Sequence, residues 1–413
     1  MANTLITPSI IAKEALMQLE NNLVMGNQVH REYRKEFTGG QGDTVSIRKP
    51  VKFYTADGAT RVNQDVEEKS TSITVDQRKH VSWKFSTQDL TLSVEEYSER
   101  YIKPAMITLA NTVDRSLHGL YSSVWNSVGT PGTTPANFAA VAAAAQRMDE
   151  MAVLSDNRSM MLNPAAHYAV AGNQLTLDAV GAMGKSAYER AQVGYVAGFD
   201  TFSTQNVQNH TVGVATGTPL VNGGSQNVTY ASATGANSQT LNTDGWTNST
   251  TGILKAGDVF TIAGVYAVNP VPGEGTTGKT VMDYLQQFTV LADADSGATT
   301  GPAALTISPA IITSGPFQTV NAAPADNAAI TVLGTSATAY PQNLGFHKNA
   351  FALVTVPLEM PDGAAFKARE SHNGLSVRVV KDYDIDADDD IIRLDILYGK
   401  KAIYPDLATR LWG

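Results

Sequence analysis

From Thr7 to about Met25, apolar side chains recur at Ile11, Ala15, Leu16, Leu19 and Leu23, the spacing that lines one side of an α-helix. Thr7 is placed to cap that helix and Pro8 to open it. A stripe this short needs a partner surface. After "FTGGQGD" the period changes to two. Val45 and Ile47, Val51 and Phe53, then Ile73, Val75, Val81, Trp83 and Phe85 alternate with polar neighbours, which predicts two long strands. Arg48, Lys49, Lys52, Arg61, Glu67, Glu68 and Lys69 lie on and between them. So many charges predict a hairpin projecting from the body. A lone two-stranded ribbon is marginal in water, so another subunit is expected to cover its apolar face. An ordinary solvated edge hairpin of a local sheet is the competing reading.

Ser93-Val94-Glu95-Glu96 forms a capping box and opens a helical face of Val94, Tyr97, Tyr101, Ala105, Leu109, Val113, Leu117, Leu120 and Val124, ending near Gly129. Pro104 should kink this long helix or split off its first turns. An alanine-rich helix follows from about Pro135 to Met151, and "NRSMMLNPAAHY" reads as a short strand, a turn and a helix. Near Val207 the composition shifts. Asp244 is the only charge from Thr201 to Gly252, and Asp326 the only one from Gly297 to Gly345. Short strands such as "DVFTIAGVYAV", "QQFTVLAD", "ALTISPAI" and "AAITVLG" predict a small β-barrel or sandwich. Helix-type and charged composition then resumes in "FALVTVPLEM", "GLSVRVVKDY" and "DIIRLDILYGKKAIYPDLATRL", so the β unit reads as inserted into a larger α+β domain.

At 413 residues the chain can hold two or three compact units. Its 30 basic and 39 acidic residues give a formal charge of -9, with no Lys/Arg-rich block, which argues against direct nucleic-acid readout. With no cysteine, disulfides, thiolate metal sites and a cysteine nucleophile are excluded. The N-terminus lacks the basic and apolar blocks of a signal peptide, and the longest apolar run, Phe138 to Ala145, is far short of the ~20 residues of a membrane span.

Three stretches invite a chemical reading. "GEGTTGKT", Gly273 to Thr280, fits the phosphate-binding P-loop pattern, but that loop needs a buried strand before it and a substantial helix after it. Here "NPVPGEG" precedes it, and "VMDYLQQF" has room for two helical turns at most. A surface loop is the alternative, with Lys279 on a connection between two strands of the β unit. "DYDIDADDD", Asp382 to Asp390, alternates carboxylates as a calcium loop does, yet Ala387 stands where glycine is needed and Arg393 where a bidentate glutamate is needed. A solvated turn between strands is the other reading. The histidines show no metal-ligand spacing and pair with no nucleophile motif. No enzymatic machinery, cofactor or metal is therefore expected.

Four stretches in order, "MLNPAAHY", "YVAGFDTFSTQNV", "LKAGDVFTIAGVYAV" and "IRLDILYGKKAIYPDLATRL", resemble the major capsid proteins of tailed double-stranded-DNA phages with the Hong Kong 97-type fold, in the short-tailed Salmonella phage type. The resemblance implies an α+β capsid fold with an inserted small β-barrel. It divides the chain into an N-terminal arm (1-40), an extended hairpin loop (41-91), the long spine helix and first part of the core (92-212), the inserted barrel (213-342) and the rest of the core (343-413). It implies hexamers and pentamers that close into an icosahedral shell around double-stranded DNA, with scaffolding and portal proteins as partners and assembly in the host cytoplasm. The candidate subunit-interface residues are Arg48, Lys49, Lys52, Arg61, Glu67, Glu68 and Lys69 on the hairpin, with Asp244 and Trp246 on the stretch that in this family bridges capsomers. A P-loop nucleotide-binding protein, an encapsulin-like compartment and a tail or decoration protein are the alternatives.

Overall fold

A computed structural model describes residues 8–37, 43–53, 58–63, 66, 68–86, 98–177, 193–233, 237–271, 279–364, 366–372, 374–385 and 389–413. The fold is mixed α+β, with many strands and few helices. The chain divides into two compact units, one made of Met1–Ser46, Ser72–His118 and Phe351–Lys401, the other of Ile47–Thr71, Gly119–Ala350 and Ala402–Gly413.

In the first unit, the N-terminal helix Pro8–Asn22 buries Ile11, Ala15, Leu16 and Leu19, with Leu23 just beyond it, so the stripe seen in the sequence is the buried face. It packs on the long helix Lys103–His118 and on the strands Phe366–His372 and Leu375–Asp384, so its partner surface lies in its own chain. Asp114 of the long helix fastens the turn that follows. Its carboxylate accepts from the backbone N–H of Val24 at 2.6 Å and of Gly26 at 2.9 Å. Burial pushes this carboxyl up to about 6, against the pull of the Val24, Gly26 and Met25 N–H groups.

The long helix buries Ala105, Leu109, Val113 and Leu117, while the Ser93 capping box lies outside the described residues. Pro104 leaves its mark just upstream. Residues Ser98–Ile102 form a wide π turn, which suits a ring that gives no N–H to the preceding turn and needs room beside it. The helix continues as a tight 3-10 stretch over Gly119–Ser123, a few residues short of Gly129.

The predicted hairpin departs from expectation in its second arm. Thr44–Arg48 pairs with Ser70–Thr74, but the alternation that runs on from there belongs to a separate strand, Gln77–Ser86. That strand joins the sheet of the first unit, pairing antiparallel with Asp389–Ala402 from Ser86↔Asp389 to Gln77↔Tyr398. Residues 49–53, expected as strand, carry none. The stretch after residue 350, whose composition reads as helix-type, is also strand: Phe351–Thr355, Phe366–His372, Leu375–Asp384 and Asp389–Ala402 share this sheet. Alternating Val377, Val379, Ile392, Leu394 and Ile396, all buried, explain it, because β-branched side chains fit a pleated, half-buried surface.

One carboxylate clamps three neighbouring strands of that sheet. Asp395 is fully buried and accepts from Arg378 Nη2 at 2.6 Å and Arg393 Nε at 2.8 Å, with Arg78 Nη2 at 3.7 Å. Burial works to raise its pKa, but the hydrogen bonds and charges of Arg378 and Arg393 outweigh it and hold the group below the ordinary value.

The second unit contains two six-stranded sheets. The first is mixed: Ser127–Val128, Ala408–Leu411, Asn343–His347, Arg158–Leu162, Phe199–Ser203 and Tyr195–Val196, in that order. Helices Phe138–Glu150 and Pro164–Leu177 cover it through Val141, Met148, Ala166 and Val170, packed with Met160, Leu162 and Phe199. Asn137 caps the first of these, accepting from Ala140 N–H at 2.8 Å, and Asn163 caps the second, accepting from Ala166 N–H at 3.1 Å. The strand, turn and helix read from "NRSMMLNPAAHY" are present as written.

The second sheet is antiparallel, in the order Ile330–Val332, Val259–Val268, Val281–Val290, Ala303–Ser308, Gln239–Trp246 and Gly217–Val221. Its two edges meet: Leu220 bridges Ala329, Val221 N–H donates to Ala328 O at 3.0 Å, and Asn327 N–H donates to Val221 O at 2.9 Å. Phe260, Phe288, Leu241, Leu305 and Ile307 fill the interior. The segment Val281 to Tyr284, given two helical turns from sequence, is strand because it pairs with the end of Val259–Val268. The chain passes into this sheet along Asn209–Thr211 and out along Ala339–Pro341, and those strands pair with each other.

Replacing Asp395 by alanine strands the Arg378 charge and should cost about 3–5 kcal/mol in urea unfolding at neutral pH. Because the native pKa is depressed, the contribution is present above the unfolded value of about 3.9 and is lost as pH falls through the native one. The gap between wild type and Asp395→Ala should therefore close in acid; a constant gap would mean the carboxylate charge is not what matters.

Candidate assembly surface and the joints behind it

The hairpin stem puts its charges to two uses. Arg48 and Glu68 form an ion pair at 3.3 Å with 83% and 52% of their side chains exposed, a geometry that contributes little to stability. Arg61 is exposed, and Glu67 lies outside the described residues. The lysines turn towards their own chain. Lys69 Nζ sits 4.5 Å from the centre of the Tyr230 ring and donates to Ala233 O, while Lys52 Nζ is 5.9 Å from the Phe317 ring. Those two rings stack 3.6 Å apart and nearly parallel. Lys49 lines the same cavity as Lys52, Tyr230 and Phe317. Two of the hairpin's candidate interface cations therefore have intrachain aromatic contacts.

Asp244 is half-buried on the strand Gln239–Trp246. Trp246 is only 2% exposed, packs in the interior of the antiparallel sheet, and donates its Nε1 hydrogen to Thr243 Oγ1 at 2.9 Å. This corrects its assignment as a subunit contact: it is a core anchor of its own domain, with no face left for a neighbour.

The P-loop-like stretch is a connection between two antiparallel strands. Residues 272–278 lie outside the described part, but Lys279 stands immediately before Val281–Val290 where a phosphate-binding loop would open a helix. Its backbone N–H donates to Gln318 Oε1 at 3.2 Å and its Nζ to Gln318 O at 3.1 Å. Burial, assisted by the nearby Lys52 charge, pulls this lysine down to about 8. The nucleotide reading fails on this geometry.

The described ends of "DYDIDADDD" belong to the strands Leu375–Asp384 and Asp389–Ala402, whose last pair is Asp384↔Asp389, and residues 386–388 lie outside the description. Asp389 binds Lys84 at 2.6 Å and Asp390 lies 3.3 Å from Lys381. Among the described residues no group of three or more His, Asp or Glu is arranged to hold a metal ion.

Sequence reasoning missed a buried polar knot where the antiparallel sheet meets the rest of its unit. His210 Nε2 is 2.7 Å from Asp258 Oδ1, and His210 Nδ1 is 3.1 Å from the Tyr121 hydroxyl. The second Asp258 oxygen accepts from the N–H groups of Gly213 at 3.0 Å and Lys255 at 2.6 Å. Beside them Arg410, 1% exposed, donates to Gly257 O at 2.7 Å and to Thr289 Oγ1 at 3.3 Å, with Gln342 Oε1 at 3.4 Å. Gly257 has φ +103, and a Cβ there would come within 3.2 Å of the His210 ring, so only glycine lets this strand approach so closely. A lone arginine in the apolar strand "ATRL" and a lone aspartate opening "DVFTIAG" were the signals available.

The family model described as P22 coat protein, gene protein 5, matches residues 1–413. The chain belongs to the P22 coat protein family. It is a phage major capsid protein, and its place is the virion. A relative named major capsid protein, from Acyrthosiphon pisum secondary endosymbiont phage 1, is 25% identical over 431 residues, covering 100% of both chains. Among solved structures, one from Mycobacterium phage Che8 is similar at 13% identity and a TM-score of 0.48, covering 94% of this coat protein and 90% of that chain. The capsid structure of cyanophage P-SCSP1u is similar at 12% identity and a TM-score of 0.43, covering 91% and 84%. In the coat protein, among the described residues, no helix is long and apolar enough to cross a membrane.

Arg410→Ala should cost the unassembled coat protein about 3–5 kcal/mol, since it removes the buried positive charge that lies near the Asp258 carboxylate and leaves Gly257 O without its side-chain donor. Urea unfolding followed by tryptophan fluorescence measures it. A loss under about 1 kcal/mol, the scale of one ordinary hydrogen bond, would show that the knot is not what secures the joint.

Proposed function

We propose that this coat protein forms hexamers and pentamers that close into an icosahedral shell around double-stranded DNA, and that it acts as a structural protein without enzymatic activity. The observation that carries the reading is the family match over residues 1–413. In finer detail the fold is of the Hong Kong 97 type, in the short-tailed Salmonella phage form. The helix Pro8–Asn22 belongs to an N-terminal arm, the stem Thr44–Arg48 with Ser70–Thr74 carries the extended loop, and the helix Lys103–His118 is the spine. The antiparallel sheet bounded by Asn209–Thr211 and Ala339–Pro341 is the inserted barrel of residues 213-342. Hydrogen bonds between that sheet's two edges support the barrel, because closure is what removes exposed strand edges.

The formal charge of -9 suits a shell that holds DNA without adhering to it. Scaffolding and portal proteins are the expected partners, and the host cytoplasm the expected place of assembly. Contacts between subunits are heterologous, as ring-forming capsomers require, and the stem's extension beyond Lys49 is their natural lever.

Negative-stain electron microscopy of the overexpressed protein, with and without a scaffolding protein, should show round shells or broken spirals of uniform capsomers. Replacing Gly58–Val66 by a short Gly-Ser link should leave a folded, soluble monomer with unchanged urea unfolding that makes no closed shells. Closed shells from that variant would remove the extended loop from the assembly mechanism.

A further inference from the structure

The two edges of the antiparallel sheet meet beside an asparagine followed by glycine. Asn222 comes directly after the strand Gly217–Val221, and both it and Gly223 are exposed. The chain has one other such pair, beginning at Asn373, which lies outside the described residues. An Asn-Gly pair carries a reaction of its own, because glycine has no side chain to shield its nitrogen. The Gly223 nitrogen attacks Cγ of Asn222. The N–Cγ bond forms, the Cγ–Nδ2 bond breaks, and the proton of the Gly223 N–H leaves with Nδ2 as ammonia. Water then opens the cyclic imide at Cγ, giving aspartate, or at the backbone carbonyl carbon, giving isoaspartate.

The loop holds the peptide group that has to turn for this to happen. To reach Cγ, the Asn222–Gly223 peptide must rotate until its nitrogen stands about 3–3.5 Å from that carbon, a near-attack geometry. The peptide is tied at both ends. Its N–H donates to Asp326 Oδ1 at 2.8 Å, and its carbonyl, Asn222 O, accepts from Gln226 Nε2 at 2.8 Å. The backbone on either side is tied as well: Asn222 N–H donates to Asn242 O at 3.0 Å, and Ser225 N–H to Pro324 O at 3.0 Å. Gln226 is itself fixed, since its Oε1 accepts from Asn242 N–H at 2.7 Å. The Asp326 carboxylate has a second effect. Taking the proton from Gly223 would leave an amide anion against a carboxylate, and like charges at that distance repel.

We propose that Asn222–Gly223 is a latent site of self-modification, deamidating when its loop opens and held unreactive in the native fold by Asp326 and Gln226. Its place gives the reaction a consequence. Val221 N–H donates to Ala328 O and Asn327 N–H to Val221 O, the bonds that join the two sheet edges. Aspartate at position 222 adds a charge one residue from the N–H that Asp326 holds, and isoaspartate adds a backbone atom next to the joining bonds. A transient opening there becomes a permanent change.

The test follows full-length, unassembled protein in mildly alkaline buffer, with mass spectrometry of digests reading the Asn222 peptide and an isoaspartyl methyltransferase counting isoaspartate. Asn248, exposed and followed by Ser249, is the reference in the same digests. Native wild type should convert Asn222 at least about tenfold more slowly than the same chain in urea, the scale set by one hydrogen bond to a charged group. Asp326→Ala should speed native conversion at Asn222 about tenfold, with wild-type circular dichroism and an unchanged rate at Asn248. Should that variant lose native circular dichroism, Gln226→Ala makes the same comparison. Native wild type converting as fast as the urea-treated chain, no conversion in urea, or a folded variant converting at the wild-type rate each overturns the proposal. Equal acceleration at Asn222 and Asn248 overturns it too, because that reports general loosening rather than a bond lost at Gly223.

Discussion

A buried charge, Arg410, holds the place where the chain leaves the mixed sheet of its unit and later returns. Asn209–Thr211 and Ala339–Pro341 pair with each other, so the long segment between them hangs from one two-stranded ladder. Such a ladder alone resists bending poorly. Around it, Arg410 binds the carbonyl of Gly257, while Asp258 gathers His210 and the N–H groups of Gly213 and Lys255. Each of these groups is expensive to bury alone and has partners only in one arrangement. Two sheets joined this way are held in one orientation by directional bonds. A purely apolar joint of the same area would tolerate sliding, since dispersion and hydrophobic burial carry little direction.

The same division of labour recurs at the other joints. Apolar interiors such as the Phe260 and Phe288 cluster stabilise each sheet, and buried carboxylates fix how elements meet. Asp395 joins Leu375–Asp384 to Asp389–Ala402, and Asp114 fastens the turn after Pro8–Asn22 to the long helix. Their electrostatics run in opposite senses. Two arginines lower Asp395, so its contribution is full at neutral pH, whereas Asp114 is met by the backbone N–H groups of Val24, Gly26 and Met25 and burial wins. The N-terminal turn is thus held by a carboxylate that gives up charge first as pH falls.

Much of the fold was legible in side-chain period. The stripe of Ile11, Ala15, Leu16, Leu19 and Leu23 became a buried face, and the strands of "DVFTIAGVYAV" and "ALTISPAI" appeared where they were expected, because both patterns record which side faces a core. Period could not say which strand pairs with which. The alternation from Ile73 to Phe85 reads as one arm, yet the chain changes partners after Thr74, and alternation is the same in both ladders. Composition misled after residue 350, where Lys, Asp and Arg in "GLSVRVVKDY" suggested helix although its valines alternate. The joints were hidden for a different reason. A single Arg410 or Asp395 in a strand looks like a solvent-facing charge until its partners, distant in sequence, are known.

The motif that most resembled chemistry makes the same point from the other side. Lys279 stands at the lysine of a phosphate-binding pattern, but such a loop works through the helix that follows, whose N-terminus directs several N–H groups at one anion. Here an antiparallel strand follows, so those donors are spent on Val259–Val268 instead. The lysine is left buried, with the Gln318 carbonyl as its acceptor and Lys52 as its charged neighbour. A neutral side chain of similar length would pack there at lower cost, because burying an ammonium forfeits hydration that one carbonyl only partly replaces.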